Sequence, residues 1–258
     1  MATIAFSARA DRGETRFFFI MACVLAATIL AGFILNIVTG LSNFDVPWLV
    51  HVHALVMVSW VGLYLAQNML VFTGDIALHR RLGWGAVVLV PVVVVMGLQI
   101  TSWPLRTRGG PPFFGQNEFL FSNPVMLFTF AGTAAWAIAV RRDTRWHRRL
   151  MFCAMAMLTG PSVGRLVPAA FLIPYAWELT AILPAVLFPV IGMLADKRRY
   201  GVVHPAWLWG VGVMLALQVL SALVASSPWG TSVTEQFLAG SPGAERAMEA
   251  FFPPAPPA

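Results

Sequence analysis

The chain has 258 residues, of which 59% are hydrophobic and only 11% are charged, and its formal net charge is +6. A soluble domain carries about 25% charged residues, so these values exclude an ordinary soluble protein and indicate a chain that lies in a lipid bilayer. The positive charge does not indicate a nucleic-acid partner, because the basic residues form short clusters between apolar runs.

The apolar runs predict the order of the membrane-spanning helices, each of which needs about 20 residues. Seven runs qualify: 17–39, 47–72, 84–102, 122–140, 149–172, 178–195 and 205–226. We therefore expect an all-α, polytopic membrane protein. It would have a cytoplasmic N-terminal segment (1–16), a seven-helix domain (17–226, with its core at 47–172) and an external proline-rich tail (227–258). Thr159-Gly160-Pro161-Ser162 is expected to break the fifth helix.

Lysine and arginine placement predicts the orientation, because cytoplasmic loops are enriched in both. In the seven-span order thirteen of these residues fall on one side, and only Arg106, Arg108 and Arg246 fall on the other. The N-terminus is therefore expected in the cytoplasm and the C-terminus outside, in the plasma (inner) membrane of a bacterium.

Two further features concern the loops and the tail. His-Arg-Arg-Leu occurs within both Leu78–Leu82 and Trp146–Leu150, at an offset of 68 residues. We interpret helices 2–3 and 4–5 as two parallel copies of one hairpin, with coincidence as the alternative. In the tail we expect brief amphipathic turns at 234–238 and 244–252 and an unstructured or polyproline-like end at 253–257; docking of a partner subunit is the alternative.

The first candidate site joins His79 and His147. Helices 3 and 5 both run from inside to outside, so these histidines begin parallel helices at matching depth. Bis-histidine haem sites in membrane bundles use such pairs, and Arg80 and Arg148 would meet the haem propionates. The alternative is that these residues anchor interfacial loops to anionic lipid.

The second candidate site is an outer pocket around Arg165, which lies roughly 24 Å from the cytoplasmic side of helix 5. An arginine at that depth costs at least ~2.5 kcal/mol unless it is paired or hydrated. His51, His53 and Gln99 lie at a similar depth, and Glu178 begins helix 6. The pocket would hold an anionic headgroup, a quinone or a haem propionate. A structural salt bridge is the alternative for Arg165, and a hydrogen-bonded core position is the alternative for His53.

Several kinds of site lack their residues in this sequence. His53 and His79 are 26 residues apart, or roughly 39 Å of helix, so the outer and cytoplasmic histidines cannot share a metal. His51 and His53 point about 200° apart on a helix, and no metal site is predicted. The last span has no lysine for a retinal Schiff base, and motifs for zinc proteolysis, ATP hydrolysis and lipase chemistry are missing.

Four segments resemble a group of uncharacterised bacterial integral membrane proteins defined only as a domain of unknown function. They are His51-Val52-His53 with Trp60 and Gln67, Leu78-His79-Arg80-Arg81-Leu82-Gly83, His147-Arg148-Arg149-Leu150-Met151, and Arg165. This resemblance covers about 51–168 and implies a multi-helix membrane fold without an activity.

A looser resemblance is to cytochrome b561-like bundles, in which one haem is held by the second and fourth helices and another by the third and fifth. By that resemblance His79 and His147 would be the third-and-fifth pair. Helix 4 has no histidine to pair with His53, and Met126 is its only candidate.

The leading hypothesis is therefore an electron-transfer protein that binds haem b through His79 and His147, with a quinone near Arg165 and His53. The alternatives are a cofactor-free accessory or assembly subunit of a larger membrane complex, and a small-anion transporter. Whether the chain is an enzyme stays open.

Overall fold

The computed structural model describes residues 12–168 and 171–251, and the regular structure in these residues is all helical. The predicted proline-rich end at 253–257 and most of the segment 1–16 lie outside the described residues. A π-helical segment, Glu178–Ile182, precedes α8, and a 3-10 turn, Pro242–Glu245, follows α10. The α-helices are α1 (Arg12–Val38), α2 (Trp48–Thr73), α3 (Ile76–Gly83), α4 (Gly85–Arg108), α5 (Gln116–Ala139), α6 (Thr144–Met157), α7 (Gly160–Leu166), α8 (Leu183–Tyr200), α9 (Pro205–Ala225) and α10 (Pro228–Leu238).

Six helical stretches in the described part of the chain are long and apolar enough to cross a membrane. They are α1, α2, α4, α5, the π segment continued by α8, and α9. The all-α class of the prediction is confirmed. Helix α5 begins at Gln116, ahead of the predicted start at 122, because the side chains of Gln116 and Asn117 bond to the carbonyls of Gly243 and Ala225.

The predicted fifth span, 149–172, is divided into α6 and α7 at Leu158 and Thr159. The break lies where the sequence predicts it, since Pro161 starts a new helix at a position where its missing N–H costs nothing. Neither piece is long enough to cross a membrane alone, and the last helical residue is Leu166.

Helix α6 forms the centre of the bundle. It packs on α5, α8 and α9, and every residue from Phe152 to Met157 is buried. A helix that is apolar on all sides is stable only when other elements surround it. The ring around α6 continues from α9 through α5, α4, α2 and α1 to α7.

The tail is folded as far as Phe251, and α10 includes the turn that the sequence predicts at 234–238. The Arg246 guanidinium donates to the carbonyl oxygens of Gly109 and Phe114 in the α4–α5 loop. The backbone N–H of Gln116 donates to the Met248 carbonyl at 2.8 Å. These contacts make residues 228–251 a strap that closes one end of the bundle.

Candidate functional site

The two His-Arg-Arg-Leu segments begin helices of the same kind. Asp75 caps α3 by accepting a hydrogen bond from the Leu78 N–H at 3.0 Å. Asp143 caps α6 by accepting from the N–H groups of Arg145 and Trp146. Each aspartate precedes its histidine by four residues, so the repeat extends to Asp-x-x-x-His-Arg-Arg-Leu. The aspartate is the helix N-cap, which the shorter His-Arg-Arg-Leu motif leaves out.

The rings of His79 and His147 meet at one end of the bundle. Their centroids are 6.4 Å apart and their planes are nearly perpendicular, at 79°. The first comes from the short helix α3 and the second from the first turns of α6. Two copies of one motif therefore contact each other through their histidines.

Hydrogen bonds engage the Nδ1 atom of each ring. His147 Nδ1 lies 2.8 Å from the Ala137 carbonyl oxygen, and because a carbonyl only accepts, Nδ1 carries the proton and Nε2 carries the lone pair. With the Gln67 amide oriented to satisfy its neighbours, its nitrogen donates to the carbonyl and to Nδ1 of His79, at 3.0 and 2.5 Å, while its oxygen accepts from the Gly83 N–H. Nε2 therefore carries the lone pair in His147 and the proton in the neutral ring of His79.

Burial favours the neutral form of His79. Burial, with smaller contributions from His147 and Arg80, lowers its pKa below the ordinary value of 6.5. A neutral imidazole is the form that binds metals.

The four arginines of the two copies have different surroundings. Arg80 and Arg81 are exposed, and neither forms an ion pair in the part of the chain that the structure describes. Arg148 is bonded to Glu14 at 2.6 Å, and Arg149 is completely buried. Of the two arginines predicted to meet haem propionates, Arg80 is open and Arg148 is already paired.

Arg149 is the centre of a buried charge cluster that sequence reasoning missed. Its guanidinium forms a bidentate pair with Asp196 on α8, at 2.6 and 2.8 Å, and donates to Glu14 on α1 at 2.8 Å. Trp207 on α9 also donates to Asp196, and Tyr200 to Glu14. The cluster therefore ties α1, α6, α8 and α9 together. Glu14 and Asp196 lie just outside the predicted spans 17–39 and 178–195, but the structure places both inside helices long and apolar enough to cross a membrane, at 2% and 4% exposed.

His204 lies beside this cluster and makes stability depend on pH. Burial and the Arg149 guanidinium lower its pKa from 6.5 to about 4. Between these two pKa values the unfolded chain binds a proton at His204 that the folded chain does not bind. The free energy of unfolding therefore falls as the pH falls from 6.5 towards 4.

His204→Asn should weaken this acid sensitivity. His204 Nδ1 accepts from the Ala206 N–H at 3.2 Å as the N-cap of α9, and asparagine is also a good N-cap but does not titrate. We expect the fall in melting temperature between pH 7.5 and pH 5 to become smaller in detergent. His51→Asn changes an exposed histidine and is the control; an unchanged pH slope in His204→Asn would contradict the assignment.

The residues predicted for the outer pocket lie on α2, α4, α7 and the π segment. Arg165 is exposed on α7, where it donates to the Pro161 carbonyl at 2.5 Å and lies over the Phe33 ring at 4.4 Å. His53 is half-buried and interacts electrostatically with Arg165. His51 is exposed, Glu178 interacts with Glu118, and Gln99 lines a cavity between α4, α5 and α10.

Three buried polar atoms, two on α2 and one on α7, have no hydrogen-bond partner in the described residues. They are His53 Nδ1, Trp60 Nε1 and Ser162 Oγ, and Trp60 and Ser162 are only 2% and 1% exposed. An unsatisfied buried polar group costs about 1–3 kcal/mol, so native proteins rarely leave one without a water or ligand.

No group of three or more His, Cys, Asp or Glu side chains within the described ranges is placed to hold a metal ion. No protein-family model, curated protein or solved structure matches the chain. The function is therefore inferred from the histidine pair, the buried charge cluster and the unpartnered polar atoms.

Proposed function

We propose that this chain is an electron-transfer protein of the bacterial plasma membrane that binds one haem b between His79 and His147. The observation that supports the proposal most directly is the contact between the two rings, with centroids 6.4 Å apart. His79 and His147 would hold the haem iron, since two imidazoles bonded to one metal ion at about 2 Å have their ring centroids within roughly 6 Å of each other.

The residues around the pair have the chemistry that axial ligands need. An imidazole ligand usually donates its second N–H to a carbonyl or carboxylate, which fixes the ring, and His147 donates to Ala137 in this way. Ligation by Nε2 of His79 would put a proton on Nδ1, so the Gln67 amide would turn to present its oxygen. The bound haem would supply a one-electron couple.

An absorbance spectrum tests this function. The protein, expressed with haem supplied and purified in detergent, should show a sharp b-type α-band in the dithionite-reduced minus oxidised difference spectrum, at about one haem per chain. A flat spectrum would overturn the proposal and favour a cofactor-free accessory subunit, for which co-purification of a stoichiometric partner from native membranes is the next measurement.

We also propose that α6 and α7 together cross the membrane, as the fifth of seven spans in chain order. An odd number of spans puts the termini on opposite sides, the N-terminus in the cytoplasm and the C-terminus outside. Their residues 144–166 would extend about 34 Å as a helix, against a hydrocarbon core of about 30 Å. The Arg149–Asp196 pair supports this topology, since it joins the start of α6 to the end of α8. If α8 crosses the membrane, its start is at the opposite end, and the chain between must cross too.

Labelling of single cysteines distinguishes seven spans from six. With seven spans, Glu235→Cys on α10 reacts with a membrane-impermeant maleimide in intact cells, and Arg142→Cys reacts only after permeabilisation. With six spans both cysteines would be cytoplasmic and protected, which would overturn the proposed topology.

We further propose a quinone near His53 and Arg165. Quinone carbonyl oxygens accept hydrogen bonds, and the buried Trp60 Nε1–H and Ser162 hydroxyl are donors that have no partner in the described residues. His53 and Trp60 lie two turns apart on one face of α2, about 10 Å along the axis. Protein purified from native membranes should contain extractable quinone, and Trp60→Phe should lower its amount; an equal amount in both proteins would overturn this part.

A further inference from the structure

The two copies of the repeat place one arginine pair in a buried charge cluster and the other pair at the surface. Arg148 and Arg149 of the second copy are bonded to Glu14 and Asp196. Arg80 and Arg81 occupy the same positions of the first copy, yet both are exposed, and no carboxylate pairs with them in the described residues. The first pair therefore has its full charge available to an anion from outside the chain.

Apolar side chains surround this open pair. Helix α3 buries none of its residues, and Ile76, Leu78 and Leu82 are each about 40% exposed or more. Trp84, directly after α3, is 59% exposed. A short amphipathic helix with basic and apolar residues of this kind lies in the membrane interface, with its apolar side chains among the acyl chains.

A third arginine extends the basic surface. The Arg141 guanidinium lies over the Trp84 ring at 5.4 Å, and tryptophan prefers the level of the lipid headgroups. The stacked pair therefore places a positive charge at headgroup level beside α3.

We propose that Arg80, Arg81 and Arg141 bind the headgroup of an anionic phospholipid, with the exposed side chains of α3 against its acyl chains. Guanidinium groups bind phosphate oxygens bidentately. The apolar side chains argue for a lipid over a soluble phosphate, because a free anion would not contact them. The site is independent of haem and quinone, and its test does not require either.

Native mass spectrometry tests the site. The protein, reconstituted with equal amounts of phosphatidylglycerol and phosphatidylcholine and released from the membrane, should retain phosphatidylglycerol preferentially. Arg80→Gln/Arg81→Gln should reduce the retained fraction roughly tenfold, since each arginine near an anionic surface contributes substantially to binding.

Lys197→Gln/Arg198→Gln is the matched control. It removes the same charge at the end of α8, where both residues are exposed, and it should leave retention unchanged. Equal losses in both double variants would mean that general charge attracts the lipid and would overturn the site. Competition by inorganic phosphate at millimolar concentration would overturn the choice of a lipid. A thermal melt equal to that of the unmodified protein shows that each variant is folded.

Discussion

Arg149→Met is expected to lower the free energy of unfolding by about 3–5 kcal/mol, because it leaves two carboxylates buried without a counter-charge. The guanidinium is completely buried and bonds to Glu14 and Asp196 at once. Methionine fills much of the same volume, so the loss would come from the unpaired charges and only slightly from a cavity. Reversible unfolding in mixed micelles by increasing SDS would measure it.

The repeat supplies the control for this prediction. Arg81→Met changes the equivalent arginine of the first copy, which is exposed and without a carboxylate partner in the described ranges. It should stay within about 0.5 kcal/mol of the unmodified protein in micelles. If both variants unfold alike, the buried cluster does not stabilise the bundle.

A triple variant separates the charge effect from packing. Adding Glu14→Gln and Asp196→Asn to Arg149→Met removes both orphaned charges and keeps their shapes. Much of the lost stability should return, since neutral replacements of buried ion clusters are often tolerated. A triple variant as unstable as Arg149→Met would show that the stability loss comes from lost packing and not from the unpaired charges.

The sequence predicted the helices better than the contacts between them. Spans follow from local apolar runs, because desolvation of the backbone in lipid imposes a helix on each run. The break at Thr159–Pro161 was also predictable, since proline and glycine act locally. Helix α3 was missed because eight residues with charges have no apolar run, although Asp75 at the cap was a usable signal.

The buried cluster could not be predicted in the same way. Arg149 and Glu14 are 135 residues apart, and their pairing depends on how α1 and α6 pack. The charge pattern assigns Glu14 to a cytoplasmic segment, whereas α1 begins at Arg12 and buries it. For the same reason the outer pocket was predicted from depth alone.

His147→Ala and His79→Ala are each expected to reduce bound haem to below about a tenth of one per chain, because each removes one of two axial ligands. The readout is the haem-to-protein ratio from the reduced pyridine spectrum. His51→Ala changes an exposed histidine near the start of α2 and should keep the full haem-to-protein ratio. An unchanged haem-to-protein ratio in the double variant His79→Ala/His147→Ala would contradict the assignment of both ligands.

His147→Met distinguishes ligation from a structural role of the ring. Thioether sulfur ligates haem iron and raises the reduction potential when it replaces an imidazole. The variant should therefore keep part of its haem, with a higher midpoint potential than the unmodified protein. A purely structural histidine would lose haem without such a shift, since methionine cannot replace the hydrogen bond to the Ala137 carbonyl. A retained haem at an unchanged potential would mean that the iron is bound elsewhere.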